Sequence, residues 1–269
     1  MASWYNFQNN AVSFGVDTAY LNWNTTFPAI SICENESPDK IYESGTKLFG
    51  KERNMNTDFY LRDIAFFDGT CYSCKSHCGV TMNCTNDLQY LVRQVRANCT
   101  KMLDYCQWNG QPFNCCSHFL PLETETGICY TLNSLHTPTG SSAIEFISNR
   151  KTGPGRLNFQ VFESVRMFIH APDDVPYINH PQDEKTVLNW GSVSSLIFHV
   201  NEIDNDPTLK YVPVEQRNCR FPNENILKSY RYYSYSACVV DCRAKAQIKL
   251  CNCTHHFMPK LGERKITNS

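Results

Sequence analysis

The 15 cysteines of this chain fall into two clusters, and this distribution constrains the fold more than any other feature. Ten cysteines lie between Cys33 and Cys129 and five between Cys219 and Cys253, with none in the 89 residues between the clusters. Such clustering is typical of disulfide cross-links in an oxidising compartment. The first cluster can close internally as five pairs, whereas the second has an odd number of members and cannot. We therefore expect the partners of the second cluster to lie beyond Ser269 in a longer product, or the chain to be a truncated form.

Five Asn-x-Ser/Thr sequons agree with an extracellular location, although random occurrence alone would supply a few. Together with the clustered cysteines they indicate an extracellular, glycosylated domain. The sequons lie at Asn24, Asn35, Asn83, Asn98 and Asn252.

The composition of the 269 residues excludes several classes of protein. Hydrophobic residues make up 42% of the chain, enough for a packed core, and the net charge of −1 provides no basic patch for nucleic acid. The longest apolar runs have four residues, against the roughly 20 that cross a bilayer. Residues 4–16 are interrupted by polar side chains and lack the basic start of a signal peptide. We expect a folded domain with no membrane span, no signal peptide and no nucleic-acid partner.

Two segments have the apolar spacing of an amphipathic helix. In residues 87–106 the apolar side chains recur at steps of three and four. In Tyr235–Cys251 the two cysteines Cys238 and Cys242 are one turn apart and share a face, so both can link the helix to one neighbouring element. We predict a helix for each segment.

Several segments that are rich in β-branched and aromatic residues predict strands between Pro and Gly breaks. Residues 34–60 have few apolar anchors, and we expect loop and short helix there. The predicted strands are residues 27–33, 127–132, 158–163, 165–170, 193–200 and 209–216.

A tight run of four cysteines suggests either zinc or disulfides. A zinc ribbon pairs two C-x2-C knuckles about 15 to 20 residues apart, and no second knuckle follows at that distance. Disulfides are therefore the preferred interpretation. The run consists of Cys71, Cys74, Cys78 and Cys84.

The sequence contains no G-x-S-x-G, H-E-x-x-H, P-loop or G-x-G-x-x-G motif. His255 and His256 follow a C-x-C pair and could bind a soft metal, but C-x-C in an oxidising compartment more often forms two separate disulfides. Asp173 and Asp174 could form a cation or proton site, yet paired acids in a Pro-flanked loop are usually solvated. We expect no enzyme activity, no cofactor and no bound metal.

Three motifs follow one another along the chain. Residues 27–33 read F-P-A-I-S-I-C, and Cys106 and the pair Cys115 and Cys116 precede T-G-I-C-Y-T-L-N at 126–133. The third begins with Q-R-N-C-R-F at 216–221 and continues through Y-S-A-C at 235–238 to C-N-C-T-H-H-F-M-P at 251–259. In order and spacing these motifs resemble those of the degenerin/epithelial sodium channel family, and especially its arthropod pickpocket branch.

The resemblance implies an α+β fold: a disulfide-rich, hand-like channel ectodomain with a central β-sheet palm, a peripheral helical finger and a partial thumb. Members of the family are subunits of trimeric, sodium-selective channels with two membrane spans. Residues 27–33 and 127–133 would be adjacent palm strands, with Cys33 paired to Cys129. Cys106 would pair with Cys115 or Cys116, and Cys71, Cys74, Cys78, Cys84 and Cys99 would be branch-specific staples.

The resemblance also divides the chain into regions. Residues 1–34 would be a wrist segment and the first palm strand, and 35–120 a finger-like, helical, disulfide-rich lobe. Residues 121–218 would hold palm and β-ball strands, with 165–170, 193–200 and 209–216 completing the palm. Residues 219–260 would be a partial thumb with its first helix, and 261–269 a tail unlike the family.

The mapping accounts for the odd cysteine count, because family partners of the second cluster come later in the chain. No membrane span, selectivity filter or second thumb helix is recognised, so the chain reads as a fragment or an abbreviated product. The cysteines without partners would be Cys219, Cys238, Cys242, Cys251 and Cys253.

The resemblance predicts the extracellular part of a sodium channel subunit, which senses a stimulus and couples it to a pore that this chain lacks. The alternative is a secreted, disulfide-rich binding glycoprotein derived from such a subunit. In the channel interpretation the partners are other subunits, sodium is the permeant ion, and the domain lies at the extracellular face of the plasma membrane.

Overall fold

The structure is a computed structural model that describes residues 4, 15–16, 23–67, 69, 88–138 and 144–260. These residues form a mixed fold of helices and antiparallel sheets, which confirms the expected α+β class with a central sheet. The strands are β1 (Thr25–Thr26), β2 (Ala29–Glu34), β3 (Leu103–Trp108), β4 (Gln111–Pro112), β5 (Leu120–Thr124), β6 (Gly127–Leu132), β7 (Ile147–Ser148), β8 (Leu157–Val161), β9 (Val165–His170) and β10 (Lys185–Leu188). The helices are α1 (Pro38–Phe49), α2 (Met55–Ala65), α3 (Leu88–Val95), α4 (Cys99–Met102), α5 (Cys115–His118), α6 (Val214–Arg217) and α7 (Tyr235–Cys251), with a 3-10 helix at Pro207–Tyr211.

The central sheet has five strands in the order β10-β9-β2-β6-β5, and every neighbouring pair is antiparallel. All six residues of β2 are buried, as expected for the middle strand of a sheet covered on both faces. Ile30 lies opposite Leu132 of β6 and Ile169 of β9. The strands predicted at 27–33, 127–132 and 165–170 are therefore confirmed, and the first two are adjacent.

A three-stranded sheet, β4-β3-β8, packs near the central sheet through a shared apolar core. Phe27 and Trp108 meet edge to face in this core, with ring centroids 4.7 Å apart. Strand β8 corresponds to the strand predicted at 158–163.

The helices α1, α2 and α3 form a separate apolar cluster. The expectation of loop and short helix for residues 34–60 was wrong, because these residues contain the whole 12-residue helix α1 and the start of the 11-residue helix α2. Asn54 caps the start of helix α2, since its side chain accepts a hydrogen bond from the Asn56 amide. The helices are stabilised by contacts distant in sequence, such as Leu61 and Leu91 in one cluster, which local spacing does not reveal.

The single helix predicted for 87–106 was also wrong. Helix α3 ends at Val95, and Asn98 starts the short helix α4 by accepting a hydrogen bond from the Lys101 amide at 3.2 Å. The chain then becomes strand β3, where Tyr105 takes a positive φ of 54° and the pairing with β8 shifts register. Apolar spacing of three and four continues through this break, and the periodicity could not locate it.

The strands predicted at 193–200 and 209–216 were wrong. Residues 193–200 have no regular secondary structure and are exposed, because no strand in the described part of the chain pairs with them. Residues 209–216 fall in the 3-10 helix and α6. Asp206 caps the 3-10 helix by accepting from the Thr208 amide, and Pro213 lies at the start of α6, where a proline is tolerated better than inside a sheet.

Helix α7 confirms the prediction for Tyr235–Cys251. Ser234 caps its start, and Asn252 ends it in the left-handed conformation with a φ of 56°. Ala237, Val240 and Ala244 are fully buried one turn apart and hold the helix against the loops beside the central sheet. Within the described ranges, no helix has the length and apolar character needed to span a bilayer.

Candidate functional site

Three disulfides are present in the described residues. Cys33 of β2 is bonded to Cys129 of β6, which joins two neighbouring strands of the central sheet across 96 positions of sequence. This is the pair that the resemblance implied. The remaining two are Cys106–Cys115, one of the two alternatives for Cys106, and Cys99–Cys116, which sequence reasoning did not pair.

Several expected site residues lie outside the described residues. These are the four closely spaced cysteines, one sequon and the C-terminal tail, namely Cys71, Cys74, Cys78, Cys84, Asn83 and residues 261–269.

The second cysteine cluster consists of free thiols. Cys238 is half-buried on α7, and burial raises its pKa, with a further contribution from the neighbouring Cys242 thiol. The pair therefore lies close together on one face of the helix, as its spacing indicates. The other free thiols, all exposed, are Cys219, Cys251 and Cys253.

Three of the remaining sequon asparagines, Asn24, Asn98 and Asn252, are exposed. Asn35 is half-buried, and its side-chain amide lies 3.5 Å from the Ser164 hydroxyl.

A buried polar cluster crosses the three middle strands of the sheet. The Ser31 hydroxyl of β2 lies 2.8 Å from the Thr131 hydroxyl of β6 and 2.8 Å from Nε2 of His170 in β9. The other ring nitrogen of His170 bonds the carbonyl of Ala171. Burial lowers the pKa of His170 to about 4, so the ring is neutral at neutral pH. No local pattern signals this cluster, because Ser31, Thr131 and His170 come from strands that are distant in sequence.

The loop between β9 and β10 anchors the start of helix α7. The Ser236 hydroxyl donates to Asp174 at 2.6 Å and accepts from the Val175 amide at 2.9 Å. The expectation that Asp173 and Asp174 are solvated therefore fails for Asp174. Burial raises the pKa of Asp173, and the nearby Asp174 carboxylate contributes in the same direction.

An ion pair connects the central sheet to helix α7. Glu125, in the turn between β5 and β6, is fully buried, and its Oε1 accepts from Arg243 Nη1 at 2.6 Å and from the Ile178 amide at 2.5 Å. The Arg243 side chain is 31% exposed. A buried carboxylate requires such compensation.

Asp241 provides a second buried carboxylate on α7. Its Oδ1 accepts from the Ser229 amide and hydroxyl and from the Lys228 amide, each at 3.0 Å, and Lys245 lies 2.5 Å from Oδ2. Burial opposes ionisation of this carboxyl, but hydrogen bonds from Lys245 and Ser229 outweigh burial, and the pKa of Asp241 is lowered.

The segment after helix α7 contacts the helical cluster. His256 Nε2 lies 2.7 Å from the Ile64 carbonyl, and Gln89 donates to the His256 carbonyl at 2.8 Å. Phe257 packs into the cluster, with the Arg96 guanidinium 5.0 Å from its ring centroid. Helix α7 and the segment after it thus connect the central sheet to the helical cluster.

Among the residues that the structure describes, no three metal-ligating side chains lie close enough together to hold a metal ion.

The model of one protein family, described as amiloride-sensitive sodium channel, matches residues 1–269. Among curated relatives, "Sodium channel protein Nach" of Drosophila ananassae is 24% identical over 93% of this chain and 52% of its own length. "Pickpocket protein 28" of Drosophila melanogaster is 23% identical over 61% of this chain and 34% of its own. "Acid-sensing ion channel 4-B" of Danio rerio is 28% identical over 59% and 29%.

The chain spans about half the length, or less, of these curated relatives. The family model and two of the three relatives are described as ion channels, in agreement with the expectation that the chain is not an enzyme.

Proposed function

The chain belongs to the amiloride-sensitive sodium channel family, and on this premise we propose that it is the extracellular part of a sodium channel subunit. In this proposal the domain senses an extracellular stimulus and couples it to a sodium-selective pore formed by other parts of the full-length subunit. Its partners are further subunits in a trimer, and it lies at the extracellular face of the plasma membrane.

One observation carries the coupling proposal: a path of buried or covalent contacts runs from helix α7 to the middle of the sheet. Arg243 of α7 bonds Glu125, the turn holding Glu125 leads into β6, and Cys129 of β6 is bonded to Cys33 of β2. Elements joined in this way move together, because a displacement at one end cannot be absorbed without breaking a buried contact. A movement of α7 would therefore reach β2.

The regions keep the assignments that the resemblance implies. We propose residues 1–34 as wrist and first palm strand, 35–120 as finger, 121–218 as palm and β-ball, 219–260 as partial thumb and 261–269 as a tail. In this assignment the helices of the proposed finger are α1, α2 and α3, whose cluster contacts His256 and Phe257 after α7. The five free thiols would pair with cysteines outside this sequence, and the exposed sequons would carry glycans.

The experiment is electrophysiology of the full-length gene product in oocytes. Amiloride-sensitive sodium current is recorded while acid, peptides, small molecules and mechanical force are applied in turn. We expect one stimulus to open the channel, and we expect the response per subunit at the cell surface to be weaker for Arg243→Gln than for wild type. Lys249→Gln is the matched control, because Lys249 is an exposed cation on the same helix.

The contrary result is a product released into the medium that gives no current alone or with other subunits of the family. That result would favour the alternative, a secreted disulfide-rich binding glycoprotein. If Arg243→Gln and Lys249→Gln responded equally to the stimulus, the proposed coupling path would be contradicted, but the channel assignment would not.

A further inference from the structure

A small cleft lies where the central sheet meets the helical cluster of α1, α2 and α3. Its volume is about 90 Å³, which is room for a few water molecules. Sites for organic ligands begin at roughly 300 Å³. The cleft is therefore of a size for water or for a small inorganic ion, and too small for an organic ligand.

The side chain of Arg96, which follows helix α3, lines this cleft in a fixed position. Its Nε donates a hydrogen bond to the Ala65 carbonyl at 2.6 Å, and its Nη2 donates to the Thr126 carbonyl at 2.9 Å. The ring centroids of Phe66 and Phe257 each lie 5.0 Å from the guanidinium carbon. These contacts hold the guanidinium between the helical cluster and the turn that joins β5 to β6.

One nitrogen of this guanidinium is left without a partner. Nη1 of Arg96 is buried and forms no hydrogen bond with any residue that the structure describes. Gly127, with a φ of 108°, provides the space for it, because a Cβ at this position would lie 2.4 Å from Nη1. Buried donors in folded proteins are nearly always satisfied, by water or by an ion where no protein group is in reach. The arrangement therefore indicates an acceptor from solution.

A second cation, Arg166 of strand β9, lines the same cleft. It is half-buried and lies opposite Cys33 in the register of the central sheet. Burial lowers the pKa of Arg96 to about 10, the Glu34 carboxylate opposes this change, and the positive charge of Arg166 adds to it. Both guanidiniums are charged at neutral pH, so the cleft contains two cations near each other.

The carboxylates that line the cleft do not pair with these two cations. Glu34 is buried, and its two oxygens are already engaged, one by the Lys40 ammonium and the other by the Ala97 amide at 2.7 Å. Glu36 is exposed, so that solvent screens its charge. Neither arginine forms an ion pair within the described part of the chain. The cleft therefore favours a species that is both a hydrogen-bond acceptor and negatively charged.

We propose that this cleft binds a chloride ion, held by Nη1 of Arg96 and the guanidinium of Arg166. A chloride ion fits the volume, accepts hydrogen bonds from several directions and is abundant in extracellular fluid. The bound ion joins strand β9 to the end of helix α3, and the inference does not depend on the channel assignment.

Chlorine-35 NMR of the purified chain tests the proposal, because exchange with a bound state broadens the chloride line. Sodium chloride is titrated against sodium gluconate at constant ionic strength, since gluconate is too large for the cleft. We expect broadening that saturates and that bromide reverses. Arg166→Gln weakens chloride affinity about tenfold. Arg93→Gln is the matched control, because Arg93 is an exposed cation on α3 that does not line the cleft, and it leaves affinity unchanged.

A second variant, Arg96→Gln, removes the unpartnered nitrogen and should abolish the saturable broadening. Arg96 also holds the helical cluster, so circular dichroism establishes whether this variant folds; Arg166→Gln decides the matter if it does not. Absence of saturable broadening in wild type would show that water alone fills the cleft and would overturn the proposal. Equal chloride affinity in Arg166→Gln and Arg93→Gln would overturn it as well.

Discussion

Glu125 and Arg243 are 118 positions apart in sequence, yet their side chains form a 2.6 Å hydrogen-bonded ion pair between the central sheet and helix α7. The carboxylate is buried and the guanidinium is partly open to water. The pair therefore fixes where the helix sits on the sheet, and its loss would leave a charge inside the protein.

We predict that Arg243→Gln destabilises the chain by roughly 2–3 kcal/mol. Removing one partner of a fully buried pair costs about 3–5 kcal/mol, and the partial exposure of Arg243 lowers that figure. Urea unfolding monitored by circular dichroism measures the change. Lys249→Gln, on the exposed side of the same helix, should stay within about 0.5 kcal/mol of wild type. Similar losses for the two variants would contradict a structural role for the pair.

The Cys33–Cys129 disulfide, between β2 and β6, should contribute more to stability than the Cys106–Cys115 disulfide, which joins β3 to α5. Sequence separations of 96 for Cys33–Cys129 and 9 for Cys106–Cys115 correspond to loop-closure terms of roughly 4.7 and 2.7 kcal/mol. We expect the Cys33→Ser, Cys129→Ser double variant to unfold at a lower urea concentration than Cys106→Ser, Cys115→Ser. The opposite order would show that native contacts, and not chain entropy, dominate.

The stability of the chain should fall in mild acid through His170. Its folded pKa of about 4 lies below the ordinary value near 6.5, so the unfolded state binds the proton first. The free energy of unfolding therefore includes the full contribution of neutral His170 above about pH 6.5. As the pH falls to about 4 this contribution is lost, which lowers the free energy of unfolding by roughly 3 kcal/mol.

Urea midpoints measured from pH 7 to pH 4 test this expectation. His170→Gln should flatten the dependence relative to wild type, because glutamine does not titrate. His199→Gln alters an exposed histidine and should leave the slope unchanged. A slope in His170→Gln equal to that of wild type would assign the acid sensitivity to other groups.

The cap of helix α7 offers a smaller, well-defined effect. The Ser234 hydroxyl accepts a hydrogen bond from the Ala237 amide, and removing such a cap costs about 1 kcal/mol. Ser234→Ala should lower the melting temperature by about 2–4 °C, and Ser234→Asp, which also caps, should restore most of it. A Ser234→Asp variant as unstable as Ser234→Ala would show that the hydroxyl acts through Ser236, which lies 3.2 Å away.

Local sequence predicted those elements whose signals lie within the element itself. Helix α7 has its capping serine and a buried face of small residues, and β2, β6 and β9 are short apolar segments between breaks. Helices α1 and α2 were missed because their few apolar residues are buried by distant partners such as Leu91 and Phe257. Residues 193–200 have strand composition but no neighbouring strand in the described ranges, and composition alone does not supply one.

The candidate site was predicted only where covalent chemistry leaves a pattern. The motif resemblance implied the disulfide between Cys33 and Cys129. The disulfide between Cys99 and Cys116 depends on how helix α4 packs against helix α5, which the motifs do not specify. The pairing of Glu125 with Arg243 has no local signal, because each residue is ordinary in its own segment and only the tertiary fold brings them together.

The Cys33–Cys129 bond also encloses the two smaller disulfides, since all four of their cysteines fall between its ends. A protease that cuts the backbone once between residues 34 and 98 would therefore leave two pieces that still travel together. On a non-reducing gel the cleaved protein would run as a single band, and the two fragments would separate only after a reductant has been added.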